Sequence, residues 1–479
     1  MNGAGGRIGD GLMQVAPSDV SSPPAAPRWI PLVPVLLAAG VLIASFLKSD
    51  LTTNDFERFD DLRLTFLYFA LFGSACFGYA LLFLEPRSVT ARGVVGGALG
   101  AGLLLLAAYP IGSKDPIGYA FFGKVWGTYH ANPYLVAPAA FPDDPWQPFI
   151  QVVWAQWPAP YGPLFLWQAR LVDGLAGGHL FVAVWLHKLV ATGALVLALL
   201  VAARLLKVRA PVERWHALVL LAWNPLLLFE SAGTGHNDAV MMLSVLGAAW
   251  MLGRDRGAGS LWASAPLVLG VWYKWYALLF VPAFLIAAYR DGGVRAATRW
   301  TAASVGIGVA TGALLLAPLA EAVPTLVHGL LGHGNVWKFY PTWLSPILAP
   351  LLWGLDALGL IGGRWDMAWF NGIRVALFGT CALTVLVAQW RGMMDLVGAL
   401  CLLAVAFTML LVAGLQPWHL EVPVVLALVA GTRRWQALGV VLTLVALLSY
   451  FFTFVWAAAL LVGVATTVWL VRRMQPVRT

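Results

Sequence analysis

The chain has 479 residues, of which 60% are hydrophobic and 11% are charged, and its formal net charge at pH 7 is +8. Soluble globular proteins are about 45–50% apolar and about 25% charged. The 30 basic and 22 acidic residues are therefore too few to cover a soluble protein of this length, and the same figures exclude a disordered chain, a coiled coil and a disulfide scaffold. The composition predicts an all-α polytopic integral membrane protein.

The basic residues lie in short clusters between apolar runs, as in membrane proteins whose orientation follows the positive-inside rule. A single basic patch, which a nucleic-acid partner would need, is not evident in the sequence. Residues 1–28 are rich in Gly, Ala, Pro and Ser and predict a disordered cytoplasmic tail without a cleavable signal peptide. We therefore expect a multi-pass protein of the plasma membrane whose N-terminus is cytoplasmic and whose partners include the lipid bilayer.

Apolar runs of about 17–25 residues can span a bilayer. In chain order, such runs lie near 29–47, 64–84, 93–111, 179–203, 300–319, 369–390 and 394–414. Shorter or interrupted runs lie near 215–230, 238–253, 258–273, 276–289 and 420–432, and the final stretch 435–471 is long enough for two helices. Keeping the arginine clusters on one side requires that 343–366 does not cross the membrane, which gives about 12–14 spans.

This topology predicts three segments. Residues 1–28 form the tail, residues 29–319 form a catalytic transmembrane module with an extracytoplasmic loop 112–162, and residues 320–479 form a C-terminal module with an extracytoplasmic loop 320–366. The segments richest in unusual polar residues all fall on the outer side. We therefore expect any chemistry at the extracytoplasmic face.

Asp115 follows the third predicted span, within a residue or two of the membrane boundary. An acid at that depth is costly unless it has a partner or a function. It could accept a proton from an incoming hydroxyl as a general base, or it could form an ordinary ion pair with the adjacent Lys114. The sequence leaves both interpretations open.

A second polar group occupies 230–238, where Glu230, His236, Asn237 and Asp238 surround a glycine-rich turn that leads into a new helix, with a predicted start at His236 or Asn237. Asn237 or Asp238 could simply cap that helix. The density of polar groups at membrane depth favours a functional role, because the free backbone N–H groups of a helix start suit a phosphate.

Two smaller features have the same ambiguity. Lys274 lies between Tyr273 and Trp275 and could be a membrane anchor or could hold a lipid-linked phosphate. Trp418 and His419 follow a proline that breaks an apolar run, a pattern typical of substrate-lining segments, although His419 could be structural. The polar loop 328–340 is a weaker candidate for substrate contact.

Several activities are disfavoured by what the sequence lacks. It has no Walker A motif, no GxGxxG opening a helix after a strand and no HExxH, so an ATP-driven pump and soluble cofactor chemistry are not expected. No internal repeat is visible, which weakens the prediction of a secondary transporter. The carboxylates are too dispersed to predict an oxygen-ligand metal site, and the sequence leaves divalent-metal dependence open.

Four segments of the chain resemble the actinobacterial α-(1→6) mannopyranosyltransferases. They are the segment from Asp115 to Tyr134, then 158–163 (Pro-Ala-Pro-Tyr-Gly-Pro), 224–225 (Asn-Pro) and 235–238 (Gly-His-Asn-Asp). These belong to the GT-C class of polytopic glycosyltransferases that use polyprenyl-phosphate sugars. The matches are in the family's order and cover about residues 113–240, with Lys274 as a further match. Ile117 and Gly118 replace the family's first aromatic residue before Tyr119, and after about residue 300 only the hydropathy matches.

The resemblance implies a GT-C-like bundle with outward-facing loops and interfacial helices. It also implies an inverting transfer of a hexose, with mannose indicated, from a polyprenyl-phosphate donor to an extracytoplasmic glycan or glycolipid, without a further cofactor. Asp115 would be the catalytic base. The implied donor-binding residues are Lys274, His236, Asn237 and Asp238, and the implied substrate-binding residues are Tyr119, Asn132, Tyr134, Tyr161, Trp418 and His419.

Two alternatives remain at this point. A lipid-linked sugar or polysaccharide flippase would explain the spans and the interfacial aromatic residues equally well, but not the acid at the boundary together with the polar turn. A related enzyme with another donor sugar cannot be separated by sequence, because the distinction depends on the geometry of one hydroxyl.

Overall fold

A computed structural model of the chain describes residues 34, 36–41, 62–84, 89–110, 113–254, 262–326, 354–355, 357–359, 367–412 and 416–449. In this part of the chain every regular element is a helix. The α-helices are α1 Leu62–Leu84, α2 Ala91–Ala107, α3 Asp115–Gly127, α4 Val152–Ala155, α5 Pro163–Ala176, α6 Leu180–Leu205, α7 Pro211–Ala222, α8 Pro225–Leu228, α9 Asp238–Arg254, α10 Ser264–Tyr273, α11 Val281–Leu316, α12 Met367–Trp390, α13 Leu396–Leu410, α14 Glu421–Ala430 and α15 Arg433–Ser449.

Shorter helical turns join these elements. A π-helix occupies Phe229–Thr234, and 3-10 helices occupy Pro138–Ala140, Gln147–Phe149, Leu206–Val208, Trp275–Phe280, Ala317–Ala322 and Pro417–Leu420. Proline begins α5, α7 and α8, because its missing N–H is one of the donors that a helix start leaves unpaired anyway. Asp395 caps α13 by accepting from the backbone N–H of Gly398 at 2.8 Å.

Four helical stretches in the described residues are long and apolar enough to cross a membrane: Leu180–Val208, Pro211–Thr234, Trp275–Leu326 and Gly372–Trp390. Six shorter apolar helices of 10–17 residues accompany them. The prediction of an all-helical membrane protein is thus confirmed, while the division into modules at 319 and 320 stays a prediction.

The helices follow the predicted spans closely, with two informative differences. The segment 112–162, assigned to a loop from sequence, contains α3, α4 and two 3-10 helices. The helix after the polar turn begins at Asp238, one or two residues later than expected. The long helix α11 is broken at Gly292 and Gly293, whose backbone angles are not helical, so it forms two helices that match the two predicted spans at 276–289 and 300–319. The predicted span near 29–47, most of the loop 320–366 and the last part of 435–471 lie outside the described residues.

A face of small residues on α6 lets neighbouring helices approach closely. Ala191, Ala194, Ala198 and Ala202 recur at helical spacing and are buried. In a membrane, close backbone approach replaces much of the hydrophobic driving force between helices. This face packs in the main core together with residues of α9, including Met241, Val245 and Ala249.

Charged side chains form two clusters, one at each end of the bundle. The polar end contains Asp115, Glu230, His236 and Lys274, and the arginine end contains Arg209, Arg290 and Asp395. Helix α6 connects the polar end with the arginine end. Lys188, in its first half, packs against Gly235 of the polar end, and Arg209 of the arginine end follows shortly after its last residue. About 26 Å of helix separates Lys188 from the end of α6, close to the thickness of a hydrocarbon core.

Candidate active site

Asp115 lies in the first turn of α3 and is 5% exposed. Its backbone N–H donates to Ser113 Oγ at 3.1 Å, and the indole Nε1–H of Trp154 on α4 donates to its Oδ1 at 2.8 Å. The folding of the 113–162 segment thus brings a half-buried indole donor to one carboxylate oxygen. The other oxygen, Oδ2, lies 3.8 Å from Nε2 of His236.

The environment of Asp115 suits a base. Burial raises the pKa of this carboxyl above its ordinary value, whereas His236, the hydrogen bond from Trp154 and Lys274 lower it part of the way. A carboxylate with a raised pKa is a stronger proton acceptor than an exposed aspartate.

The polar turn takes its shape from the π-helix before it. The carbonyl of Glu230 accepts from the backbone N–H groups of both Gly235 and His236 at 2.9 Å. Upstream, Asn224 caps α8 with its side-chain oxygen and donates through Nδ2 to Tyr79 and Thr443. Single-turn π-helices are frequent at functional sites because they redirect side chains within a helix.

Gly235 is required in this turn for two reasons. Its φ of +87° lies in the left-handed region, which side chains disfavour. A Cβ at this position would also lie 2.7 Å from Cγ of Lys188. Lys188 is buried and donates to the carbonyls of Leu105 at 2.9 Å and Leu106 at 3.0 Å, and also to that of Ala108, so it caps the end of α2.

His236 is fully buried at the centre of the polar end. Its Nδ1 lies 2.7 Å from Oε2 of Glu230 and 2.8 Å from Oγ1 of Thr234. The ring stacks on the indole of Trp418, with centroids 4.0 Å apart and planes 16° from parallel. Its Nε2 makes no hydrogen bond within the described part of the chain.

Lys274 joins the same cluster from the break between α10 and the Trp275–Phe280 helix, where its backbone is extended. Its Nζ donates to Oδ2 of Asp238 at 2.7 Å and to Oδ1 of Asn237 at 3.1 Å. The lysine side chain is 19% exposed and that of Asp238 is 1% exposed. The amide Nδ2 of Asn237 is buried without a hydrogen-bond partner among the described residues.

Tyr119 and Tyr161 form an aromatic wall beside Asp115. Their rings meet edge to face at 5.3 Å, and Tyr119 also meets Phe165 at 5.2 Å. Tyr134 supports this wall by donating from its hydroxyl to the carbonyl of Tyr161 at 2.8 Å. Ionised Asp115 disfavours ionisation of both Tyr119 and Tyr161, which places the wall and the carboxylate in one electrostatic environment.

Asn132 and His419 have local structural contacts. Asn132 accepts from the backbone N–H of Tyr134 and donates to Oε1 of Glu321 at 3.1 Å. His419 accepts at Nδ1 from the backbone N–H of Gln416 at 3.0 Å, which closes the capping box of the Pro417–Leu420 helix. That helix places Trp418 over His236.

The structure therefore brings Asp115, His236, Asn237, Asp238, Lys274 and Trp418 together, with Tyr119 and Tyr161 beside them. Two further tryptophans of this region have other surroundings: Trp126 packs against Trp167 and Arg170, and Trp157 is 54% exposed. The residues His328, His333, Asn335, Lys338 and Tyr340 of the candidate loop lie outside the described residues.

Sequence reasoning missed several contributors. The sequence predicts no role for Trp154, Lys188 or Glu321. In the structure Trp154 and Glu321 hydrogen-bond to the candidate residues Asp115 and Asn132, and Lys188 packs against Gly235 in the polar turn. The sequence places Glu230 in the polar group of 230–238 but does not predict its contact with His236, which only the short spacing of the two residues suggests. Glu421 is fully buried beside Ser231, which donates to it at 3.4 Å.

No group of three or more His, Cys, Asp or Glu side chains is arranged to hold a metal ion in the part of the chain that the structure describes. The cation of the cluster is instead Lys274, together with His236 when it is protonated.

Comparison with known proteins adds the family. A family model described as alpha-(1→6)-mannopyranosyltransferase, N-terminal domain, matches residues 33–290, more than half of the chain. A protein named "Probable alpha-(1->6)-mannopyranosyltransferase" from Mycolicibacterium smegmatis is 28% identical over 345 residues, covering 66% of this chain and 61% of that protein.

An alpha-(1→6)-mannopyranosyltransferase from Mycobacterium tuberculosis is 28% identical over 375 residues, covering 66% of this chain and 62% of that protein. Alpha-(1→6)-mannopyranosyltransferase A from the same organism is 28% identical over 145 residues, covering 29% of this chain and 26% of that protein. The match thus spans about three fifths of the length of the first two relatives. As the resemblance in its sequence predicts, the chain belongs to the alpha-(1→6)-mannopyranosyltransferase family.

Proposed function

We propose that this protein is an inverting membrane glycosyltransferase that moves mannose from a polyprenyl-phosphate donor to a glycan or glycolipid acceptor on the extracytoplasmic face of the plasma membrane. Membership of a glycosyltransferase family supports the enzyme class. The observation that carries the proposal is the buried cluster in which Asp115, His236 and Lys274 lie side by side with unpaired polar atoms among them.

Asp115 is the proposed base. Its Oδ1 is fixed by Trp154, while Oδ2 faces the imidazole edge and is the oxygen best placed to accept the proton of an acceptor hydroxyl. Removal of that proton makes the hydroxyl oxygen a stronger nucleophile as it attacks the anomeric carbon.

The donor phosphate is assigned to the other side of the cluster. Lys274 provides a positive charge that still reaches solvent, and Nδ2 of Asn237 is a buried donor without a hydrogen-bond partner among the described residues. Such groups stabilise the negative charge that develops on a phosphate leaving group. Asp238 holds Lys274 in place and can accept from a sugar hydroxyl.

The aromatic residues would shape the sugar and acceptor surfaces. Tyr119, Tyr161 and Trp418 offer ring faces and edges next to the carboxylate, as sugar-binding surfaces do. Asn132, Tyr134 and His419 act in this proposal mainly by holding the segments that carry those rings.

The proposed inversion at the anomeric carbon follows from the use of a single carboxylate, Asp115, at the reacting centre. A retaining enzyme needs a second carboxylate as nucleophile at about 5 Å from the first, whereas a single base is enough for one inversion. The carboxylate of Asp115 is contacted by the indole of Trp154 and the imidazole of His236. A β-linked polyprenyl-phosphate mannose would thus give an α-linked product.

The test is a vesicle assay with the full-length protein and radiolabelled polyprenyl-phosphate mannose, comparing the wild type with Asp115→Asn. We expect transfer of label to a glycan or glycolipid by the wild type and its loss in the variant. Transfer by the variant at the wild-type rate would remove Asp115 as base. Movement of the lipid-linked sugar across the bilayer without transfer would favour the flippase, and transfer only from another polyprenyl-phosphate sugar would change the donor.

A further inference from the structure

We propose that His236 carries the proton of the acceptor hydroxyl from Asp115 to the phosphate leaving group, and that Glu230 is the positioning residue that holds the imidazole in the tautomer this transfer needs. The inference deepens the proposed function and rests on it. It assigns a role to Glu230, which neither the family resemblance nor the relatives assign.

The first observation is the contact between Glu230 and His236. Both side chains are fully buried, and Oε2 of Glu230 lies 2.7 Å from Nδ1 of His236. A carboxylate only accepts hydrogen bonds, so Nδ1 carries the proton. The neutral imidazole then has its lone pair on Nε2.

The second observation is the position of Nε2. It is buried, makes no hydrogen bond within the described residues and lies 3.8 Å from Oδ2 of Asp115. A movement of the carboxyl by less than about 1 Å would bring the two atoms to hydrogen-bond distance. A lone pair aimed at the base, with no other partner, is what a proton acceptor for that base requires.

The third observation is how firmly the ring is held. The indole of Trp418 stacks on one face of the imidazole at 4.0 Å, and the π-helix places Glu230 beneath Nδ1 through the two backbone bonds to its carbonyl. The ring thus lies between the carboxyl groups of Asp115 and Glu230, with each ring nitrogen facing one of them and one ring face covered by the indole.

Ionisable groups from several elements lie near the turn that carries His236. They are Asp115 of α3, Lys188 of α6, Glu230 of the π-helix, Asp238 of α9, Lys274 after α10, His419 of the 3-10 helix and Glu421 of α14. His236 contacts Asp115, and the next residue in the chain, Asn237, contacts Lys274. His236 therefore connects the side proposed for the acceptor with the side proposed for the phosphate.

The transfer balances without an outside reactant. The acceptor O–H bond breaks as its oxygen bonds to the anomeric carbon, and the bond from that carbon to the phosphate oxygen breaks with its electron pair staying on phosphate. The proton passes to Asp115, then to Nε2 of His236, and finally to an oxygen of the departing polyprenyl phosphate. Asp115 and His236 return to their starting states.

The experiment uses full-length protein in vesicles with polyprenyl-phosphate mannose as the donor. We expect His236→Ala to lower kcat by about 10²-fold or more and added imidazole to restore it at least about tenfold. His236→Gln, which retains hydrogen bonding but cannot relay a proton, should lower kcat equally and should not respond to imidazole.

Glu230→Gln, which keeps the size of the side chain, should lower kcat about tenfold or more, leave the donor KM within about threefold and increase the solvent deuterium isotope effect.

The matched control is Glu421→Gln, which makes the same chemical change at an equally buried glutamate that contacts Ser231 instead of His236. It should leave the solvent deuterium isotope effect unchanged, because Glu421 makes no hydrogen bond to His236 in the described part of the chain. A wild-type kcat in His236→Gln would overturn the proposal, as would an unchanged isotope effect in Glu230→Gln at a wild-type unfolding temperature. Lack of mannose transfer by the wild type would instead defeat the proposed function itself.

Discussion

Charged side chains are more deeply buried at the polar end of the bundle than at the arginine end. At the polar end, the side chains of Glu230, His236 and Asp238 are at most 1% exposed, and each contacts another ionisable group. At the arginine end, Arg209 and Asp395 form an ion pair at 2.9 Å while remaining 26% and 56% exposed. Burying a charge costs free energy that pairing only partly returns. In the proposed function the buried charges of the polar end serve the chemistry, whereas those of the arginine end stay near water and cap helices.

The contacts at the arginine end fit that interpretation. Arg290 donates to the carbonyl of Gln389 at 2.9 Å, near the end of α12, and Asp395 caps the next helix. A cavity of about 370 Å³ lies between these residues and Trp435. Arginines near helix ends satisfy carbonyls that the helix leaves unpaired.

The largest effect expected from this contrast is at Asp115. Asp115→Asn should lower kcat about 10²–10⁴-fold, because it removes the proposed base while keeping the side-chain volume. Asp395→Asn makes the same change at the arginine end and should leave kcat within about twofold. Equal losses in transfer assays of the two variants would show that the ends do not differ in function.

The next effect is on the buried pair of Lys274 and Asp238. Lys274→Met leaves the carboxylate of Asp238 buried without its cation, so we expect a loss of about 2–4 kcal/mol in the free energy of unfolding and a higher donor KM. Arg209→Met should cost about 0–1 kcal/mol, because its partner is more than half exposed. Denaturant unfolding in detergent micelles measures both, and similar values would contradict the comparison.

A smaller effect is expected in the turn itself. Gly235→Ala forces a side chain into a left-handed backbone and against Lys188, and it should cost about 1–3 kcal/mol. Gly306→Ala is the matched change in α11, where an added Cβ meets nothing within 4 Å, and it should be neutral or stabilising. Thermal unfolding of the two variants gives the difference, and a tolerated Gly235→Ala would mean that the turn is free to rearrange.

The smallest expected effect is a shift in pH dependence. The base must be ionised, so activity falls as pH drops through the pKa of Asp115, which burial raises above that of an exposed aspartate. Trp154→Phe removes a hydrogen bond that favours the carboxylate, so the pKa rises further and the acidic limb of the kcat profile moves to higher pH, by about one unit or less. Trp185→Phe, at an exposed position on α6, should leave the limb in place. A shift to lower pH in Trp154→Phe would contradict the assigned role.

The sequence predicts the parts of this protein that depend on composition and local pattern. The helices follow from apolar runs, and Asp115, His236 and Lys274 stand out because charged residues are scarce in such a chain. The polar turn could be located because its residues are adjacent in sequence. The family resemblance is confirmed by the match to residues 33–290.

What could not be predicted depends on contacts between distant segments. Trp154 lies 39 residues from Asp115, and Lys188 lies 83 residues from Leu105. Neither tryptophan nor lysine differs in its local pattern from the other interfacial aromatic or basic residues of this chain. The π-helix depends on a register change within one helical turn, which hydropathy does not encode, so the start of α9 was misplaced by one or two residues.

The contacts of Lys188 have a consequence for how the proposed lipid-linked donor would enter. This lysine fastens the end of α2 to α6, and its Cγ would clash with a side chain at Gly235, so it holds the turn that carries His236 on one side. On the other side, the segment 128–162 meets the Ala317–Ala322 helix through the hydrogen bond from Asn132 to Glu321 and through apolar packing of Tyr134 and Ala159. For the proposed polyprenyl donor, we expect the segment 128–162 to move on entry and the turn to stay in place, so that the geometry around His236 is kept.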